Sequence, residues 1–197
     1  MSNNAYLAAL DRLSGLIADG WSRGLHEVNA ASLATADING RPSVRIVNII
    51  AVEEKGLVFF ANGHSGKVRQ LAANPRASVC FYWPTLQEQV IIEGDVRRAE
   101  GEDSNGYWGK VPREKQVYTS IDKNVSELNK PGTLEARVTE QWSQSGFTSI
   151  ERPADWHAFI LQPDRIEFWP TGWRRAQERI RYSKTHDSEW YKELLVI

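Results

Sequence analysis

The feature that most constrains the fold is a series of short apolar segments separated by tight-turn signals. Such segments occupy residues 31–35, 43–52, 57–61, 77–83 and 89–98. Asn39-Gly40, between the first two segments, is typical of a hairpin tip. Five to six strands joined by turns this short predict a closed or nearly closed antiparallel β-barrel.

Helices are predicted around these strands. Apolar residues recur at helical spacing from residue 4 to about 24, which indicates an amphipathic helix that packs on the barrel or on a partner subunit. Strand patterns return near the C-terminus. We therefore expect a single, mainly β domain of residues 1–197, with an N-terminal helix at 1–24, barrel strands at 31–98 and 156–197, and a helical insertion at 100–146.

Two cations occupy unusual positions in this pattern. Arg45 interrupts the segment 43–52, whose nearly continuous apolar residues predict a strand buried on both faces. A guanidinium in such a strand needs a partner, because burying it unpaired is costly. Lys67 follows a loop containing Gly63, Ser65 and Gly66 at the start of a short helix. That arrangement suits a phosphate-binding loop, and it also suits a plain connector.

The C-terminal part predicts a hairpin rich in arginine. A strand pattern at 166–169 is followed by the turn signal at 170–172, and strand alternation then places Arg175, Arg179 and Arg181 on one face. The planar guanidinium pairs with phosphate or carboxylate and stacks on flat rings. Arginine also protects a solvated edge strand from aggregation, so residue types alone leave both interpretations open.

Composition narrows the functional classes. The formal net charge of −1 favours neither a nucleic-acid nor a membrane partner. The single cysteine, Cys80, excludes an intrachain disulfide, and we find no signal-peptide pattern and no membrane-spanning stretch. These features predict a cytoplasmic protein. The four histidines share no metal-ligand spacing, so no metal site is predicted.

Several separate blocks resemble one enzyme family. Glu167-Phe168-Trp169, then Arg175, then Glu178-Arg179 is similar to the C-terminal signature of the pyridoxamine 5′-phosphate oxidase family. Arg45-Ile46-Val47 and Ser65-Gly66-Lys67 resemble further family motifs in the same order, and the resemblance covers roughly residues 31–197. It implies an FMN-binding split β-barrel, assembled as a homodimer with the flavin at the subunit interface. The sequence carries no Rossmann fingerprint, which favours FMN over a dinucleotide.

The resemblance also assigns cofactor positions. It implies that Arg45 and Lys67 neutralise the FMN phosphate, while Gln89, Trp169 and Arg179 border the ring. The full set of implied FMN-binding residues is Arg45, Ile46, Val47, Ile50, Phe60, Ala61, Lys67, Gln89, Asn124, Trp169 and Arg179.

The substrate side departs from the family pattern. Tyr107 and Arg175 are kept, and the resemblance makes them, with Gln177, the candidate catalytic residues that line the substrate pocket. Three other positions with which the family binds the phosphate of its substrate differ: Ile50 stands at a lysine position, Val111 at an arginine position and Lys115 at a serine position. Gln177 stands at the position of a histidine that the family places over the ring of the substrate.

Three functions follow as alternatives. The first is an FMN-dependent oxidase of the pyridoxamine 5′-phosphate oxidase type with altered substrate preference, which oxidises a CH–NH or CH–NH2 group of a small planar nitrogen heterocycle with oxygen as acceptor. The second is a flavin oxidase of the phenazine-biosynthesis type, acting on an unphosphorylated tricyclic substrate. The third is a flavin-binding module without turnover.

Overall fold

The computed structural model describes residues 4–121, 132–145, 148–172 and 178–195. Antiparallel strands hold more of these residues than helices do, as the sequence predicts. The helices are α1 (Asn4–Ser22), α2 (Gly66–Ala73), α3 (Gly101–Trp108), α4 (Arg113–Ser120) and α5 (Thr133–Ser145). The strands are β1 (Ala30–Ala36), β2 (Pro42–Glu53), β3 (Gly56–Asn62), β4 (Arg76–Trp83), β5 (Glu88–Arg98), β6 (Trp156–Pro170), β7 (Arg179–Lys184) and β8 (Trp190–Leu195).

Six strands close into a barrel in the order β3-β2-β1-β4-β5-β6, and pairing of β3 with β6 completes the ring. Strand β6 changes partner along one edge. Its first half, from Trp156 to Leu161, pairs with β3, and its second half, from Arg165 to Phe168, pairs with β7. The hairpin of β7 and β8 therefore leaves the barrel wall where the ring closes. The prediction of a split barrel is confirmed.

Strand β6 is longer than the sequence suggests. The pattern predicts a strand at 156–161 that is separate from the hairpin strand at 166–169, whereas the structure has one continuous strand. Pro163 is accommodated because it pairs with Gly94 at a shift of register in β5. A Cβ on Gly94 would lie 2.0 Å from the Gln162 carbonyl oxygen, so this close approach requires glycine.

The barrel interior forms the main core, built from alternate residues of each strand. Phe59, Phe81 and Phe168 are fully buried there. Helix α1 covers this core with Leu10 and Leu13, which confirms the interpretation of an amphipathic helix that packs on the barrel. A second, smaller cluster lies outside the barrel wall, where α3 covers β3 and β6; its members are Val58, Ala99, Tyr107, Ala158 and Ile160.

The prediction that β2 is buried on both faces is wrong for this chain. Val47 and Ile49 face the interior, but Val44 and Ile46 on the outer face are 69% and 64% exposed. The alternation of a barrel strand leaves every second residue outside, and β2 has apolar residues on both sides.

None of the helices in the described residues is long and apolar enough to span a membrane.

Candidate functional site

Arg45 lies near the start of β2, on the same strand face as the buried Val47 and Ile49, and is held by neutral groups. Its Nη1 donates hydrogen bonds to the Leu33 carbonyl at 3.1 Å and to Thr35 Oγ1 at 2.6 Å. Its Nη2 donates to Gln70 Oε1 on α2 at 3.2 Å. Burial lowers the pKa of the guanidinium from its ordinary value. Arg45 thus has the partners that its position requires, but they fix its orientation without neutralising its charge.

Lys67 joins Arg45 from the first turn of α2. Its Nζ lies 3.5 Å from Ser65 Oγ. Its pKa is lowered first by burial and then by the positive charge of Arg45, so the two cations lie close enough to repel each other. Within residues 4–121, 132–145, 148–172 and 178–195, neither cation forms an ion pair with a carboxylate. Two half-buried positive charges without a counter-ion are suited to a dianion at the start of a helix.

A second group of predicted residues gathers on the outer face of β5 and β6. Gln89 pairs with Trp169 in the ladder, and the Arg179 guanidinium carbon lies 4.8 Å from the centre of the Trp169 ring. Such an arrangement combines a flat apolar surface, an amide and a cation. It can border a planar heterocycle.

Glu167 positions the arginines of this second group. Its carboxylate accepts a 2.5 Å hydrogen bond from Arg179 Nε and a 3.1 Å hydrogen bond from Arg181 Nη2. The Glu167 side chain is only 6% exposed. Arg179 and Arg181 therefore share one face of β7, as strand alternation predicts. Arg175 and Gln177, predicted for the same face, lie outside the described residues, and so does Asn124.

The remaining predicted flavin positions divide between the two sides of the barrel wall. Val47 and Ala61 have side chains in the interior core, so only their backbone atoms can reach a ligand outside the wall. Ile46 lies on the exposed outer face. Ile50 and Phe60 pack against the outer cluster that contains Tyr107.

Tyr107 is engaged within its own chain. Its hydroxyl donates a 2.6 Å hydrogen bond to Glu53 Oε2, and Lys110 Nζ binds Glu53 Oε1 at 2.9 Å. The ammonium groups of Lys55 and Lys110 lie 5.0 and 5.2 Å from the centre of the Tyr107 ring. Burial, followed by the hydrogen bond to Glu53, raises the pKa of the phenol. Lys115, which stands at the serine position of the family pattern, is also paired: its Nζ lies 3.4 Å from Glu27 Oε2.

Sequence reasoning missed the groups that position these residues. Gln70 lies one helical turn after Lys67, and its amide also donates to Ser43 Oγ at 3.0 Å. That helical spacing from Lys67 was a usable signal. Glu53 is followed by Glu54, a pattern typical of a solvated turn, and only the folded chain brings Glu53 to Tyr107. Glu167 was noted as part of a motif, without its role as the partner of two arginines.

Comparison with known proteins identifies the family and the fold. Residues 18–169 match the family model described as pyridoxamine 5′-phosphate oxidase. Residues 156–196 match the pyridoxine 5′-phosphate oxidase C-terminal dimerisation region, which supports a homodimer. A pyridoxine/pyridoxamine 5′-phosphate oxidase of Anaeromyxobacter dehalogenans is 40% identical over 162 residues, covering 82% of each chain. One from Paraburkholderia phymatum is 40% identical over 166 residues, covering 84% of this chain and 78% of the relative.

Two solved structures share the fold. PhzG from Burkholderia lata, in complex with tetrahydrophenazine-1-carboxylic acid, superimposes with a TM-score of 0.80 at 24% identity, covering 95% of this chain and 91% of the other. A pyridoxamine 5′-phosphate oxidase-related, FMN-binding protein from Nostoc punctiforme superimposes with a TM-score of 0.72 at 22% identity, covering 93% and 96%. At these identities the similarity establishes the architecture.

Proposed function

The chain belongs to the pyridoxamine 5′-phosphate oxidase family, and we propose that it is an FMN-dependent oxidase of a small planar nitrogen heterocycle. The bond oxidised is a CH–NH or CH–NH2 bond, and oxygen is the electron acceptor. The enzyme works as a homodimer with one flavin at each subunit interface. Curated relatives named as pyridoxine/pyridoxamine 5′-phosphate oxidases support the oxidase class.

The observation that carries the proposal is the pair of cations formed by Arg45 and Lys67. Burial lowers the pKa of both groups, and the charge of Arg45 lowers that of Lys67 further. A phosphate dianion at this point would neutralise both cations and accept hydrogen bonds from them. The residues present therefore fit the phosphate end of FMN.

The ring end of FMN fits the outer face of the wall. Trp169 supplies an aromatic edge, Gln89 an amide, and Arg179 a cation that favours negative charge on the ring. Glu167 holds Arg179 in place through the 2.5 Å hydrogen bond. When bound, FMN supplies the redox chemistry, and the chain supplies alignment and electrostatics. Ile46, Ile50 and Phe60 would contact the flavin from the adjoining strands.

On the substrate side, we propose that Arg175 orients the heterocycle and that Gln177 and Tyr107 line its pocket. The Tyr107 hydroxyl is bound to Glu53 at 2.6 Å, so it is not a free donor for a phosphate. This contact favours a second candidate function, a flavin oxidase of the phenazine-biosynthesis type whose substrate carries no phosphate. A flavin-binding module without turnover is the third outcome that the experiment must distinguish.

The test begins with the colour and flavin content of the purified protein. A yellow preparation that releases FMN on denaturation is expected, and a colourless protein that takes up no added FMN would refute the proposal. Anaerobic reduction of the bound flavin by pyridoxine 5′-phosphate, pyridoxamine 5′-phosphate or a reduced phenazine precursor then identifies the substrate class, with oxygen consumption as the second readout. Bound FMN that none of these compounds reduces would leave the binding module.

A further inference from the structure

Three side chains from β1, β2 and α2 form a closed set of hydrogen bonds around the Arg45 guanidinium. Thr35 Oγ1 donates to Gln70 Oε1 at 2.6 Å. Both of these oxygens also accept from Arg45, Thr35 from Nη1 at 2.6 Å and Gln70 from Nη2 at 3.2 Å. Thr35 is buried and Gln70 is half-buried, so water competes little for these bonds. The three side chains therefore hold one another in one arrangement.

The direction of each bond follows from the donors available. A guanidinium only donates, so the Thr35 hydroxyl accepts from Arg45 and directs its single proton to Gln70. Gln70 must then present its carbonyl oxygen to both groups. Its amide nitrogen donates on the other side, to Ser43 Oγ at 3.0 Å. A reversed amide would set N–H groups against the N–H groups of Arg45, so the orientation of Gln70 is unique.

These bonds leave a defined edge of the guanidinium unused. Of the five N–H donors of an arginine, both on Nη1 are taken, by the Leu33 carbonyl oxygen and by Thr35. One of the two on Nη2 is taken by Gln70. Within the described part of the chain, Nε–H and the second N–H of Nη2 form no hydrogen bond. Two adjacent N–H groups of this kind are suited to bidentate binding of a phosphate.

Gln70 also leaves the charge of this region unchanged. It lies three residues after Lys67 on α2, on the same side of the helix, and it contacts Arg45 directly. A glutamate at position 70 would accept the same hydrogen bonds, but its negative charge would neutralise the cations that a phosphate requires. The neutral amide orients Arg45 and keeps its positive charge available.

We propose that Gln70 is a positioning residue that gives the flavin site its preference for a phosphorylated flavin. It acts through Arg45, because it fixes the guanidinium with the Nε–Nη2 edge unoccupied and leaves the charges of Arg45 and Lys67 uncompensated. The inference rests on the proposed function, since the phosphate concerned is that of FMN. Replacement of Gln70 should therefore change the recognition of the phosphate and leave recognition of the flavin ring intact.

The experiment compares FMN with riboflavin, which differs from FMN only in lacking the phosphate. Fluorescence titration of the flavin-free protein gives a dissociation constant for each compound, and the ratio of the two constants measures the contribution of the phosphate. We expect the wild-type protein to bind FMN at least about 100-fold more tightly than riboflavin, the factor of about two charge-assisted hydrogen bonds.

Gln70→Glu tests the requirement for a neutral side chain. We expect the preference for FMN to fall at least about tenfold, with the dissociation constant of riboflavin unchanged. The midpoint of thermal unfolding of the flavin-free protein should not fall, because the new carboxylate lies beside two cations that otherwise repel each other. A residue with a purely structural role would change the binding of both flavins alike.

Gln70→Met tests orientation separately from charge. Methionine is neutral and similar in size, but it cannot hold the Arg45 guanidinium in place. The preference for FMN should fall by roughly 3- to 10-fold, the factor of about one hydrogen bond. Gln162→Glu is the matched control, because it makes the same change of charge at an exposed position on β6. It should leave the preference at the wild-type value.

Three results would overturn the inference. The first is a wild-type protein that binds riboflavin as tightly as FMN, which decides the matter even if neither variant at position 70 folds. The second is a folded Gln70→Glu variant with the wild-type preference, and the third is equal weakening of both flavins by that substitution. A wild-type protein that binds neither flavin refutes the proposed function itself. A protein that prefers FMN, and still does so to the same degree in both variants, refutes only the role of Gln70.

Discussion

The Tyr107 hydroxyl donates a 2.6 Å hydrogen bond to the Glu53 carboxylate, although the two residues lie 54 positions apart in the chain. Burial raises the pKa of Glu53, but the hydrogen bonds from Tyr107 and Lys110 outweigh it, so the pKa lies below its ordinary value. The carboxylate therefore stays charged at neutral pH. This contact ties α3 to the end of β2.

Tyr107→Phe should remove that hydrogen bond while keeping the ring in the outer cluster. We expect the free energy of unfolding to fall by about 0.5–1.5 kcal/mol, measured by urea denaturation. Tyr191→Phe is the control, because Tyr191 is 46% exposed on β8. Loss of its hydroxyl should change the free energy of unfolding by less than about 0.5 kcal/mol. Equal effects of the two substitutions would show that the contact with Glu53 contributes nothing.

Arg45→Ala should weaken FMN retention by roughly 10- to 100-fold and leave a folded dimer. In the proposed site, one of the two cations that would face the phosphate is lost. The fold should survive, because removal of Arg45 relieves its repulsion of Lys67. Flavin content after gel filtration and fluorescence titration with FMN measure the effect. Arg41→Ala, at the exposed β1–β2 turn, is the matched control. Unchanged occupancy in Arg45→Ala would place the phosphate elsewhere.

Glu167→Gln should destabilise the protein by about 1–3 kcal/mol, because a buried carboxylate that serves two guanidinium groups is replaced by a neutral amide. Arg179 would also lose its anchor beside Trp169, so flavin affinity should fall as well. Glu193→Gln provides the comparison, since Glu193 binds Arg181 at 3.6 Å and is 38% exposed. That exposed pair should contribute at most about 1 kcal/mol. Similar losses in the two variants would contradict the role of Glu167.

His157 predicts how stability depends on pH. Burial and the neighbouring charges of Arg98 and Arg152 lower the pKa of His157 below its ordinary 6.5. At a pH between the lowered pKa of the folded state and 6.5, the unfolded chain binds more protons than the folded chain. The free energy of unfolding should therefore fall as the pH drops below 6.5. His157→Gln keeps an acceptor for Arg98 without titrating, and it should reduce that loss.

Urea unfolding at pH 7.5 and 5.5 measures the effect of His157, with His186→Gln, at an exposed turn, as the control. An identical loss of stability in the wild type and in His157→Gln would assign the pH dependence to other groups.

Gly94→Ala tests the packing of β5 against β6. The added Cβ would lie 2.0 Å from the Gln162 carbonyl oxygen, which is a backbone atom and cannot move aside without shifting the strand. We expect a loss of at least about 2 kcal/mol, measured by thermal and urea unfolding. Gly101→Ala at the start of α3, where nothing lies within 4 Å of the new Cβ, should be nearly neutral. Equal stability of the two variants would contradict the close contact.

Much of the architecture is readable from local patterns. Turn signals and period-two alternation predicted the strands of the barrel, and helical spacing predicted α1 on its surface. The isolated charge of Arg45 in an apolar strand predicted that polar partners would be found for it, and Thr35 and Gln70 supply them. These inferences succeed because each depends on residues that are close in the chain.

Closure of the barrel determined which residues that are distant in the chain meet and which side chains stay exposed. It brings Lys67 to Arg45 and Glu53 to Tyr107, it exposes Val44 and Ile46, and it places Pro163 opposite Gly94. The bulge between Ile49 and Ala51 also arises from pairing with β3, and no feature of the β2 sequence marks it. Periodicity reports which residues share a face of a strand. Which groups meet across that face depends on register and partner, and long-range pairing sets both.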